Sequence, residues 1–137
     1  MTLPASPEVT FAVTPIYTGL LGLLFVALSL WVVARRVRAR AASGDGGDPA
    51  LSDAIRAHAN FAEYVPLALI LMAMGEALGM PALALHVYGG ALLVARTMHA
   101  AGMARRPNVP ALRGGGWLLT VVVLLTGALG VLGHAIL

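Results

Sequence analysis

Four apolar runs alternate with polar stretches along this chain, at roughly Val9–Ala34, Phe61–Met80, Leu83–Ala95 and Gly114–Leu137. The first and last hold no formal charge. Both are long enough to cross ~30 Å of hydrocarbon at ~1.5 Å per helical residue. The second contains Glu63 and Glu76, and the third reaches spanning length only if His86, Arg96 and His99 are included. The pattern predicts four transmembrane helices, at about 14–37, 49–78, 82–104 and 112–136. The expected class is an all-α membrane protein, a four-helix bundle in which residues 1–137 make one domain. Asp48-Pro49 reads as an N-cap followed by a first helical residue. Gly79-Met80-Pro81 reads as a break and a short turn. Pro66 is expected to kink the second helix and widen the space above Glu63.

Charge then orients the bundle. All nine basic residues are arginine, so the basic balance does not point to nucleic acid. Arg35, Arg36, Arg38 and Arg40 follow the first run, and Arg105, Arg106 and Arg113 follow the third. The positive-inside rule puts both loops in the cytoplasm. The N-terminal segment carries Glu8 and no basic residue, and the turn from Glu76 to Ala82 has none, so both are expected outside, with the C-terminus. Residues 1–14 lack the positive region of a signal peptide, and the first run is expected to remain as an anchor. With no cysteine, thiol chemistry would need a thiol brought by the substrate. The acidic loop around Asp45 and Asp48 fits no calcium motif, and no helical spacing of histidines and carboxylates suggests a metal site.

The polar residues inside the runs carry the chemistry. Ionisable groups are costly in a bilayer and mark functional sites. Arg56, Asn60 and Glu63 follow i, i+4, i+7 spacing and share one helix face, with Asp53 nearby. His58 points the other way and suits an interhelical hydrogen bond. On the third helix Arg96, His99 and Met103 share a face; on the fourth, Arg113 and Trp117 do. Arg36 and Arg38 close the first helix at the same membrane depth. Four helices thus deliver polar groups to one leaflet, predicting a polar cavity open to cytoplasm. Arginines outnumber carboxylates there, which suits an anionic ligand held by forked guanidinium contacts. Arg35, Arg40, Arg105 and Arg106 are assigned to lipid headgroups. Glu76, His86 and His134 fall toward the outer surface.

Arg56-Ala-His58-x-Asn60-x-x-Glu63 with Pro66 resembles the second-helix signature of the MAPEG family, the membrane-associated proteins in eicosanoid and glutathione metabolism. Gly44-Asp45-Gly46-Gly47-Asp48 and Arg96-x-x-His99-x-x-Gly102 resemble its small bacterial members. Arg113, followed by Trp117, falls where family enzymes have an arginine and then an aromatic. The resemblance implies a homotrimer that binds glutathione between subunits near the cytoplasmic face. Arg56, Asn60 and Glu63 would come from one subunit. Arg96 and Arg113, with Arg36 or Arg38, would come from its neighbour. His58, His99 and Trp117 complete the candidate set. Several eicosanoid enzymes have tyrosine where this chain has Met103 and Trp117, and a serine can stand where Gly114 does. An eicosanoid substrate is therefore not expected.

The leading functional expectation is a glutathione transferase or peroxidase acting on lipophilic electrophiles that enter from the membrane. Guanidinium stabilises the attacking thiolate, with Arg113 the first choice for that role and Arg96 the second. The alternatives are a non-catalytic lipid-binding or scaffold member of the family, and a small multidrug transporter. The transporter's membrane glutamate lies in its first helix, which here has no internal charge. A bacterial inner membrane is the expected location, with membrane lipids as surroundings.

Overall fold

The computed structural model describes residues 10–136. It contains four helices: α1 (Thr14–Ala39), α2 (Pro49–Ala77), α3 (Ala82–Ala104) and α4 (Pro110–Ile136). Among the described residues there is no strand. The expectation that the segment bearing Glu8 faces outside, and the start of the first run at Val9, fall on residues 1–9, outside the described residues; Leu137 lies outside them too.

Three helices, α1, α2 and α4, are long and apolar enough to cross a membrane. α3 has 23 residues, but His86, Arg96 and His99 dilute its apolar character. Outward faces are apolar along their length. Leu23 is 71% exposed, Leu83 76% and Leu118 57%. Continuous surface of this kind is disfavoured in water and matches hydrocarbon. The molecule is an all-α membrane bundle of four helices.

Loop chemistry sets the helix ends. Arg40 closes α1 in the left-handed conformation, φ 52°. α2 starts at Pro49, and the Asp48 carboxylate accepts from the Ala50 N–H at 2.7 Å. That bond satisfies one of the unpaired donors of a first helical turn. α2 then runs through Pro66 without interruption. α4 opens on Pro110, where a missing N–H costs nothing.

α1 lacks a side-chain cap of its own; its N-cap position is Val13. The cap comes from the far end of α2. Glu76 Oε1 accepts from the Ala12 and Val13 N–H groups, both at 2.7 Å, and Oε2 accepts from Thr14 N–H at 2.8 Å. A carboxylate there satisfies orphan donors and opposes the positive end of the helix dipole. Beside it, Tyr17 Oη donates to the His86 carbonyl at 3.0 Å. One end of α1 is thus tied to both α2 and α3.

At the opposite end, Arg106 Nη2 donates to Asp53 Oδ2 at 2.8 Å, joining the α3–α4 loop to the start of α2. The two ties show helices alternating in direction. Between them lies a core of Leu21, Leu28, Phe61, Val65, Leu92 and Val123. α1 packs on α2 and α3 but does not touch α4, whereas α3 and α4 form the most extensive contact.

Candidate functional site

Glycine makes the α3–α4 contact close. A Cβ on Gly116 would lie 2.5 Å from the Ala95 carbonyl oxygen and 2.6 Å from His99 N. A Cβ on Gly102 would lie 2.5 Å from Arg113 N. Neither position has room for a side chain. The approach lets His99 on α3 reach the backbone of α4, its Nδ1 lying 2.9 Å from the Arg113 carbonyl oxygen. A carbonyl only accepts, so Nδ1 carries the proton in this bond. Arg113 N–H is itself held by the Val109 carbonyl at 3.0 Å. Helix, notch and imidazole together fix the backbone from which the Arg113 side chain projects.

Arg113 lines a cavity of about 450 Å³ with Arg56, Asn60, Glu63, His99 and Trp117; Ala59, Met103 and Gly114 complete the wall. Arg56 and Glu63 are exposed, on the side of α2 away from its buried stripe of Leu51, Ala54, Phe61 and Val65. The cavity therefore opens on the flank of the bundle, between α2 and α4. Among the described residues, Arg56, Glu63 and Arg113 form no ion pair; the one ion pair is Arg106–Asp53. Two guanidinium groups and a carboxylate face one volume uncommitted. No three His, Asp or Glu side chains come together as a metal ion would require, among the described residues.

The remaining predicted residues lie elsewhere. Arg96 is 1% exposed and sits behind the cavity wall. Its Nη2 donates to Asn60 Oδ1 at 2.8 Å, and its Nη1 to Thr120 Oγ1 at 3.3 Å. Its guanidinium carbon lies 5.9 Å from the centre of the Phe61 ring. His58 faces α1: it stacks on Phe25 at 4.6 Å, and its Nε2 lies 3.0 Å from Ser29 Oγ. Arg36 Nη1 donates to the Gly44 carbonyl at 2.8 Å. Neither Arg36, Arg38 nor His58 lines the cavity.

Tyr64 belongs to the same region and was not singled out by helical spacing. Its hydroxyl accepts from Trp117 Nε1 at 3.2 Å, bridging α2 and α4. Adjacency to Glu63 was the available signal. Thr120 is the other residue that spacing does not reveal. It is fully buried, and its hydroxyl donates to the Gly116 carbonyl at 2.8 Å while accepting from Arg96.

Four helices, three of them long and apolar enough to cross a membrane, with a cavity between α2 and α4 that Arg56, Glu63 and Arg113 line, define an integral membrane protein. Comparison with known proteins sharpens the class. The MAPEG family model matches residues 14–133. The chain is 40% identical over 94 residues to inner membrane protein YecN of Escherichia coli K12, covering 69% of this chain and 72% of that protein. The protein of the same name from E. coli O6:H1 matches to the same extent. No solved structure matches. The chain belongs to the MAPEG family.

Proposed function

We propose that this protein is a glutathione-binding homotrimer of the bacterial inner membrane that uses the bound thiol against lipophilic electrophiles. The observation that carries the reading is the cavity's uncommitted charge: Arg56 and Glu63 from α2 and Arg113 from α4 line it, with no ion pair formed by them among the described residues. Glutathione has two carboxylates, an ammonium and a thiol. The Arg56 guanidinium matches a carboxylate in forked geometry, and Glu63 matches the ammonium. Arg113 is assigned to the thiolate. A free thiol titrates near ~8.5, so a neighbouring cation raises its attacking fraction at neutral pH. The flank opening supports closure by a neighbouring subunit, as family resemblance implies, with the electrophile arriving through lipid. The relative's name, inner membrane protein, supports the location. The arginines of the loops after α1 and α3 support a cavity facing cytoplasm and both termini outside.

Titration calorimetry of reduced glutathione into detergent-purified protein at low salt tests this. Wild type should bind saturably. Arg113→Ala should bind about 10- to 100-fold more weakly, the range expected for losing a charged hydrogen bond, and should lose conjugation of a lipophilic aryl halide. Absence of binding to folded, oligomeric wild type sinks the proposal.

One observation favours a second reading, a non-catalytic lipid-binding member. An apolar groove of about 480 Å³ lies nearer the other end of the bundle, lined by residues including Met72, Tyr88, Ala91, Val122 and Val123. Lipid retained through purification, without glutathione binding, would select it.

A further inference from the structure

Arg96 is the largest fully buried side chain of the described residues, and it is charged. No carboxylate forms an ion pair with it, and its Nε has no hydrogen-bond partner among the described residues. A buried guanidinium without a counter-ion is expensive. Packing alone does not call for arginine here. What arginine does in this position is donate. It reaches Asn60 Oδ1 at 2.8 Å through Nη2.

That bond has a chemical consequence. Arginine has five donors and no acceptor, whereas an amide has one acceptor end and one donor end. The Asn60 oxygen is therefore bound to the interior, and the NH2 end is the free one. Asn60 lines the cavity beside Arg56, Glu63 and Arg113. Its Nδ2 has no partner within the described residues, and it is not one of the sealed polar atoms. We infer that Arg96 is a positioning residue: it locks the Asn60 amide with its NH2 group toward the cavity, which makes this subsite specific for a carboxylate or peptide carbonyl. Without Arg96 the amide can turn over and offer its oxygen, which such a group rejects. The identity of the ligand rests on the proposed function; the locking of the amide does not.

The chain's composition makes the lock observable. Asn60 and Asn108 are the only asparagines, and there is no glutamine. A 15N spectrum of the solubilised protein thus holds two side-chain carboxamide NH2 pairs, distinct in 15N shift from the arginine guanidinium groups and assigned by Asn60→Ala. Arg96→Met should move the Asn60 pair in ligand-free protein and leave the Asn108 pair in place. Arg96→Lys, which keeps a cationic donor, should return it toward the wild-type position and serves if the methionine variant does not fold. An Asn60 pair unmoved by either substitution overturns the inference.

Affinity gives the second readout. Reduced glutathione should bind Arg96→Met about 10-fold more weakly than wild type. In an Asn60→Ala background the same substitution should change affinity by less than about 2-fold, the non-additivity expected when one residue acts through another. Full additivity overturns the positioning role. If wild type binds no glutathione, the proposed function falls, and the ligand-free spectra still decide whether Arg96 locks Asn60.

Discussion

Arg113 and Glu63 face the same cavity with opposite charge, and each should select a different part of a zwitterionic ligand. Glu63→Gln is expected to weaken glutathione about 10-fold, the loss of one charge-assisted bond. An analogue lacking the amino group should bind wild type and Glu63→Gln equally; competition calorimetry measures both. Helical spacing alone made this wall legible, because i, i+4 and i+7 put Arg56, Asn60 and Glu63 together without tertiary information. The same arithmetic set His58 apart, and its ring lies on Phe25 of α1. Spacing did not reveal that Arg96 sits behind the wall and not on it. Arg96 and His99 share a helix face, and only the depth of packing against Thr120 and Asn60 separates their positions. Depth is a tertiary quantity, as is the bond from Trp117 to Tyr64.

Between elements, single residues set how closely α4 approaches α3 and how the first turn of α1 is tied to α2. Gly116→Ala would drive a methyl group into the Ala95 carbonyl and His99 N. Relaxing that overlap means moving α4 away, at about 1–3 kcal/mol. Thermal denaturation in detergent should register the loss, and glutathione affinity should fall with it because the His99–Arg113 bond stretches. Gly133→Ala, which meets nothing within 4 Å, is the control expected to match wild type. At the other end, Glu76→Ala removes the one side-chain cap on α1 among the described residues. It should cost about 1 kcal/mol, as loss of an N-cap does, and should speed hydrogen exchange at Val13 and Thr14. The four helices and the Asp48-Pro49 start were readable from apolar run lengths and local turn chemistry. The Glu76 cap was not, since donor and acceptor stand 62 to 64 residues apart in sequence.

The whole molecule must also be oriented, and its composition makes that measurable. There is no cysteine, so one introduced thiol reports without background. In intact cells, Ala82→Cys should react with a membrane-impermeant maleimide, whereas Ser43→Cys should react only after lysis. The reverse pattern would invert the assigned topology. The tie between Arg106 and Asp53 has a different implication. It is the one ion pair of the described residues, and its arginine is half exposed, so it contributes little to folding. The bundle itself is held by apolar packing and hydrogen bonds that salt barely screens, while the cavity's charges stand open and unpaired. Ionic strength therefore becomes a dial that turns one property and not the other. Raising it from about 0.01 M to 1 M shortens the screening length from about 30 Å to 3 Å. Denaturation temperature should hold nearly constant across that range as the affinity for an anionic ligand declines.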